Sequence, residues 1–152
     1  MTELERKVEA LILCVGKENF DKMINELPAA DAPAWEGTED IVDFLVDLGA
    51  PSTTKGFNYL VSAIEETIRN PQMGVHRKLY EKIGHLYGVN YRNAVGYTRN
   101  VVVYLFTYGD TDRLYKLFGA SIPADRGYPK PIEFIDRVAR IIAAERTRSE
   151  NR

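Results

Sequence analysis

The segment over residues 91–108 is polar and basic at its start and wholly apolar at its end. On a repeat of 3.6 residues per turn, five residues share one outward face, and we expect the first four of them to contact bases: Arg92, Asn93, Gly96, Arg99 and Asn100. Arginine presents donors that match guanine, and asparagine matches adenine. The glycine allows close approach to a duplex, although it weakens a helix by about 1 kcal/mol relative to alanine. The pattern predicts a helix that contacts base edges in the DNA major groove.

Cationic side chains also precede this segment. Duplex DNA is a rod of negative charge, so a DNA-binding protein needs lysine or arginine near the phosphates. Three such residues lie shortly before the segment, and a tyrosine stands at its head: Arg77, Lys78, Lys82 and Tyr91. We expect these four residues to contact phosphates and to fix the orientation of the protein on the duplex.

Two helices joined by a tight turn are needed to position these side chains. The periodicity predicts helices over residues 77–87 and 91–108, with Gly88-Val89-Asn90 as the turn. We expect Gly84 to let the two helices cross closely and Gly88 to adopt a positive φ. The inward face of the second helix is apolar: Ala94, Tyr97, Val101 and Leu105. This arrangement is typical of a helix-turn-helix unit whose second helix enters the major groove.

Helical periodicity extends along the whole chain and strand signals are nearly absent, so we expect an all-α fold. Further helices are predicted over residues 38–48, 54–69, 111–118 and 132–147, with Asp110 or Thr111 as a cap and a loop at 119–131 that is rich in glycine and proline. Five tyrosines fall at spacings typical of a core: Tyr80, Tyr87, Tyr97, Tyr104 and Tyr115.

The first 37 residues differ in character from the rest. Thr2 and Glu5 form a capping box, and two short apolar stripes over residues 4–15 and 18–27 predict a helical hairpin. The stretch PAADAPAWEG at residues 28–37 has the composition of a linker. We therefore expect two units: an acidic helical hairpin with its linker at 1–37, and a helix-turn-helix domain at 38–152.

Charge is distributed unevenly. Residues 1–49 carry 4 Lys/Arg and 12 Asp/Glu, a net charge of −8, whereas residues 50–152 carry 16 and 10, a net charge of +6. Such asymmetry indicates a body that faces a polyanion and an acidic part with another task. The alternative is that solvated faces differ by chance. Our hypothesis for residues 1–30 is self-association or contact with a protein partner.

Several other classes of function lack support. The two histidines, His76 and His85, are nine residues apart without a third ligand or an HExxH pattern, so we expect no metal site. Cys14 is the only cysteine, which excludes an intramolecular disulfide or a cysteine cluster. No phosphate-binding glycine loop or nucleophile elbow is present, so we expect neither a cofactor nor an enzyme. Without a signal peptide or an apolar span, we expect a cytoplasmic protein.

Several short motifs carry a family resemblance over about residues 38–143. They are Gly49-Ala50-Pro51, Lys55-Gly56-Phe57-Asn58-Tyr59-Leu60, Leu79-Tyr80, Leu117-Phe118-Gly119, Pro129 and Glu133-Phe134-Ile135. With these motifs in this order, the chain resembles the C-terminal DNA-binding effector domain of the sporulation response regulator, stage 0 sporulation protein A. The resemblance implies an all-helical fold of about six helices. It also implies a transcription factor whose second motif helix binds a short DNA box, often as tandem subunits.

The chain departs from that family in two respects. The family's recognition helix begins Ser-Arg-x-Glu-Arg-x-x-Arg, whereas here Asn93, Val95 and Gly96 replace Arg, Glu and Arg, and only Arg99 is retained. We therefore expect a different DNA target or weaker binding. The family also carries an N-terminal receiver domain with a phosphorylated aspartate, and the 37 residues before the match are too few for one. We expect neither phosphorelay control nor the receiver's metal pocket.

Together these observations predict a sequence-specific DNA-binding transcription regulator of the sporulation-effector type. Its expected partner is double-stranded DNA, bound by a homodimer or by tandem subunits, with no membrane contact. The alternative is a protein-interaction module that kept the fold and lost DNA binding. The lost family residues and the acidic N-terminal segment favour that alternative.

Overall fold

The computed structural model describes residues 37–72 and 77–150, and in these two ranges the chain is all-helical. Six α-helices follow one another: α1 (Glu39–Asp47), α2 (Lys55–Arg69), α3 (Arg77–Tyr87), α4 (Tyr91–Tyr108), α5 (Thr111–Phe118) and α6 (Pro131–Glu150). A short 3₁₀ turn at Gly119–Ser121 follows α5. The predicted all-α class is confirmed. The expectations for the hairpin and linker before residue 37, and for His76, lie outside the described residues.

Local capping determines where three of the helices begin. The side chain of Thr54 accepts a hydrogen bond from the Phe57 amide at the start of α2. Asn90 accepts from the Asn93 amide at the start of α4, and Asp110 accepts from the Arg113 amide at the start of α5. Each cap satisfies a donor of the first helical turn that has no partner within the helix. Asp110 is therefore the cap of α5.

Helix α2 lies at the centre of the domain and packs against α1, α3, α4 and α6. Eleven of its fifteen residues are buried, because neighbours cover it on nearly every side. Gly56 lies where α2 crosses α4. A Cβ at this position would lie 2.8 Å from Val101 Cγ2 and would also meet the Tyr97 carbonyl oxygen. The close approach of the two backbones therefore requires glycine.

A cluster of phenylalanines joins the C-terminal half of α4 to α5 and α6. The rings of Phe118 and Phe134 are stacked with their centroids 4.8 Å apart. Phe106 meets both of them edge-on, at 5.9 and 6.5 Å. Tyr115, predicted to be a core residue, is 48% exposed and touches only the outside of this cluster through Phe106. That prediction was wrong because α5 is covered on one side only.

A charged junction ties the end of α6 to α1 and α2. The Arg146 guanidinium contacts both carboxylate oxygens of Asp40, with Nε–Oδ2 at 2.7 Å and Nη2–Oδ1 at 2.9 Å. Arg146 Nη2 also lies 2.9 Å from Glu65 Oε2, as an ion pair rather than an aligned hydrogen bond. The hydrogen bond from Arg146 is the main reason that the pKa of Asp40 is lowered, and the same bond raises the pKa of Arg146.

Candidate nucleic-acid interface

Helices α3 and α4 form a helix-turn-helix pair, as the sequence predicts. The turn closes through a hydrogen bond of 2.8 Å from the Val89 amide to the Gly84 carbonyl, and Gly88 has a φ of 73°. The reason for Gly84 differs from the expected one. A Cβ there would collide with the Val89 carbonyl oxygen within the turn, so Gly84 is needed for the turn itself and not for a crossing of helices.

The two faces of α4 are separated as its pattern predicts. Four inward residues are buried against the core: Ala94, Tyr97, Val101 and Leu105. On the opposite side, Arg92, Asn93 and Arg99 are exposed. A Cβ at Gly96 would meet no neighbouring atom within 4 Å. The four residues predicted to contact bases therefore share one open surface, which we call the α4 surface (Arg92, Asn93, Gly96 and Arg99).

The three cations of α3 that are predicted to contact phosphates differ in their surroundings. Lys78 is exposed and has no ion pair with any residue in the part of the chain that the structure describes. Lys82 Nζ lies 2.8 Å from Glu66 Oε2 on α2. Arg77 Nε lies 2.8 Å from Glu81 Oε1, one helical turn further along α3. Two of the three cations therefore have a carboxylate partner in the free protein.

Tyr91 lies where α3 and α4 begin next to each other. Its ring packs on the edge of the hydrophobic core, and the Arg77 guanidinium carbon lies 4.7 Å from the ring centroid. This distance is within the range of a cation–π contact. The neighbouring guanidinium group of Arg92, and after it the positive charge of Arg77, lower the pKa of Tyr91. The phenol oxygen of Tyr91 is thus in a positive environment.

Polar and aromatic contacts hold the helix pair against α2. Ser62 Oγ and Tyr87 Oη are 2.6 Å apart, and the Tyr59 ring lies between those of Tyr87 and Tyr97, at 4.7 and 5.6 Å. Sequence reasoning missed the Ser62–Tyr87 and Glu66–Lys82 contacts. No short-range signal could have revealed them, because the partners are 25 and 16 residues apart. These contacts join α2 to both helices of the motif.

The charge of the helix pair suits a polyanion. Residues 77–108 contain five Lys/Arg residues and one acidic residue, Glu81, a net charge of +4. In contrast, α1 contains four acidic residues and no cationic one. Within residues 37–72 and 77–150, no group of three or more His, Cys, Asp or Glu side chains is placed to hold a metal ion. No helix in those ranges is long and apolar enough to cross a membrane.

A known protein family matches about two thirds of the chain. The family model described as sporulation initiation factor Spo0A C terminal matches residues 41–142, which is 102 of the 152 residues. The match begins within α1 and ends within α6, so it includes the whole helix-turn-helix pair and the α4 surface. No solved structure matches the chain.

Proposed function

Since the chain belongs to the Spo0A C-terminal family, a family of DNA-binding effector domains rather than of enzymes, we propose that it is a sequence-specific transcription regulator. One observation carries this proposal. The first half of α4 exposes Arg92, Asn93 and Arg99, while the opposite side of the same helix is held in the core. A helix anchored in this way can enter the major groove without losing its own support.

The spacing within the α4 surface suits a short stretch of base pairs. Arg92 and Arg99 are seven residues apart, which is about 10.5 Å along a helix. Base pairs follow one another at about 3.4 Å, so the two guanidinium groups span about three steps. Arginine favours guanine and asparagine favours adenine. We therefore expect a short site that contains one guanine contacted by Arg92, another contacted by Arg99, and an adenine contacted by Asn93.

Phosphate contacts are assigned to Lys78 and Lys82 on α3. Lys78 is exposed and available to a phosphate directly. Lys82 has three donors, of which the contact with Glu66 uses one, and its side chain is 53% exposed. These cations supply the salt-dependent part of the affinity, which does not depend on sequence. In this proposal the base contacts and the phosphate contacts come from different helices.

The test is binding of the full-length chain to duplexes selected from a random-sequence library. Arg99→Ala should weaken binding to the selected duplex by about 1–3 kcal/mol, because a bidentate base contact is lost. Its loss on a shuffled duplex of the same composition should be much smaller. Arg140→Ala is the matched control, since Arg140 is an exposed arginine on α6 that pairs with Asp136.

Two results would contradict this function. One is the recovery of no preferred sequence by the wild-type chain. The other is an equal loss for Arg99→Ala on the selected and the shuffled duplex. Lys82→Ala should instead weaken binding to both duplexes alike and reduce the salt slope by about one.

The number of subunits on DNA belongs to the same proposal. We expect two copies to bind as a dimer or as tandem subunits, because a single helix reads only a few base pairs. Sedimentation of the full-length chain with the selected duplex measures this number directly. A one-to-one complex on every selected duplex contradicts it. The function as a DNA-binding regulator also implies a cytoplasmic location.

A second candidate is a protein-interaction module that no longer binds DNA. Exposed apolar residues favour it: Val46, Leu86, Tyr108 and Tyr115. Leu86, at 52% exposure, lies at the end of α3 beside the turn of the motif. If this candidate is correct, the wild-type chain will show no sequence preference, and Arg99→Ala will leave its duplex binding unchanged.

A further inference from the structure

An apolar side chain, Val95, lies at the edge of the α4 surface. It comes three residues after Arg92 and four residues before Arg99, and residues at these two spacings are neighbours on the surface of a helix. Val95 is partly exposed, and the rest of its side chain packs against the hydrophobic core. The two exposed arginines of α4 therefore flank an apolar group that the fold holds in place.

The surroundings of Val95 leave its methyl groups little freedom. Within a helix, valine has one strongly preferred χ1 rotamer. The buried Thr98 side chain also donates hydrogen bonds to the carbonyl oxygens of Ala94 and Val95, at 3.1 and 2.9 Å. A ligand that touches Val95 therefore meets a group that is already ordered, whereas a long arginine side chain must be ordered on binding.

The chemistry of valine restricts what it can recognise on DNA. Its side chain has no hydrogen-bond donor or acceptor, so it cannot match the polar groups of a base edge. The apolar group that the bases present in the major groove is the C5 methyl of thymine. Gly96, the next residue, leaves room for the duplex, because a Cβ there would meet no atom of the described part of the chain within 4 Å.

We infer that Val95 contacts the methyl group of a thymine and is a further specificity-determining residue of the DNA-binding surface. Along the helix axis Val95 lies about 4.5 Å from Arg92 and about 6 Å from Arg99. Base pairs follow one another at about 3.4 Å, so the thymine should lie between the two guanines that these arginines contact. This inference deepens the proposed DNA-binding function and rests on it.

The experiment measures binding of the full-length chain to the selected duplex after its thymines are replaced, one at a time, by deoxyuridine. Deoxyuridine lacks only the C5 methyl group and keeps the base pair. At one thymine between the guanines for which Arg92→Ala and Arg99→Ala lose their preference, the replacement should lower wild-type affinity by about three- to fivefold. This is the loss expected when one methyl group is no longer removed from water.

A double-mutant cycle assigns this methyl contact to Val95. Val95→Ala should weaken binding to the thymine duplex by a similar factor and should then bind the thymine and deoxyuridine duplexes equally. Val42→Ala is the matched control, because Val42 is also a partly buried valine that packs against the core, but it lies on α1. This control should keep the wild-type preference for thymine.

Three results overturn the inference. The first is a selected sequence with no thymine between the two guanines, and the second is a wild-type affinity that no deoxyuridine replacement lowers. The third is a Val95→Ala variant that still loses the full three- to fivefold on deoxyuridine replacement, which would show that Val95 only packs against the core. Thermal unfolding of both variants defines the temperatures at which they are folded, and the replacement series on wild-type protein needs no variant.

Failure of this inference is distinguishable from failure of the proposed function. If wild-type protein selects no preferred sequence, the function and the thymine contact fall together. If wild-type protein selects a sequence and Arg99→Ala loses its preference for that sequence, but the thymine methyl groups have no effect through Val95, only the thymine contact is wrong.

Discussion

The junction of α1, α2 and α6 and the surface of α4 use arginine in opposite ways. Arg146 is 28% exposed and contacts two carboxylates, whereas Arg92 and Arg99 on α4 are exposed. An arginine that is bound to carboxylates within its own protein contributes to the stability of the fold. One that faces solvent is available to a ligand. The role of an arginine in this domain therefore depends on which helices surround it.

The glycines of the domain show the same contrast. Gly56 lies against the backbone of α4, while Gly96 lies on the open side of that helix. The first glycine permits the packing that supports α4, and the second leaves space on the face that α4 presents. Replacing each glycine with alanine adds the same methyl group at both positions. The substitution therefore tests the packing of the fold at Gly56 and the exposed surface at Gly96.

The largest expected effect is a loss in the free energy of unfolding caused by Gly56→Ala. The added methyl group meets the Tyr97 carbonyl oxygen and Val101 Cγ2, and a backbone carbonyl within a buried helix cannot move aside cheaply. Overpacking of this kind costs about 3 kcal/mol, at the upper end of the usual range. Unfolding in urea, followed by circular dichroism, measures the change in the free energy of unfolding.

Gly96→Ala is the matched control for that substitution. The methyl group meets no neighbour there, and alanine is a better helix former than glycine, so stability should rise by up to about 1 kcal/mol. Affinity for the selected duplex should nevertheless fall, because the methyl group occupies space on the α4 surface. Equal destabilisation by the two substitutions would mean that the two sides of α4 are not distinct.

The next largest effect is expected for Arg146→Met. The substitution keeps the length of the side chain but leaves Asp40 and Glu65 without their shared cation. Breaking a fully buried pair costs about 3–5 kcal/mol, and the partial exposure of Asp40 reduces the expected loss to about 2 kcal/mol. Arg148→Met is the control, because the pair of Arg148 with Glu145 is on the surface and should contribute less than about 0.5 kcal/mol. A similar loss in both variants would show that the junction has no special role.

The smallest effect is expected for Glu66→Gln, which tests the phosphate contact of Lys82. Glutamine keeps the contact with Asn70 and removes the negative charge that Lys82 faces at 2.8 Å. Lys82 then contacts its phosphate without a competing carboxylate, so affinity for every duplex should rise by about threefold while the salt slope changes by less than about one. Titration at two salt concentrations measures both quantities. Unchanged binding would mean that Lys82 lies away from the DNA backbone.

Much of the recognition motif could be predicted from the sequence, because its signals are local. Caps, turn glycines and the alternation of apolar and polar residues act within one or two helical turns. For that reason the bounds of α3 and α4 and the two faces of α4 agree with the predictions. The sequence analysis identified Gly84 as a position that needs glycine, but for the crossing of the helices. The clash of an added Cβ with the Val89 carbonyl oxygen belongs to the turn, and periodicity does not reveal it.

The sequence by itself determined the all-helical class, the positions of the helices and the side of α4 that faces solvent. Only the tertiary structure decided which cations are engaged: Arg146 with Asp40 across 106 residues, Lys82 with Glu66 across 16, and Arg77 with Tyr91 between two helices. It also decided that Tyr115 is exposed. The physical reason is that helix formation follows from neighbours in the chain, whereas ion pairs and burial depend on which helices the whole fold brings together.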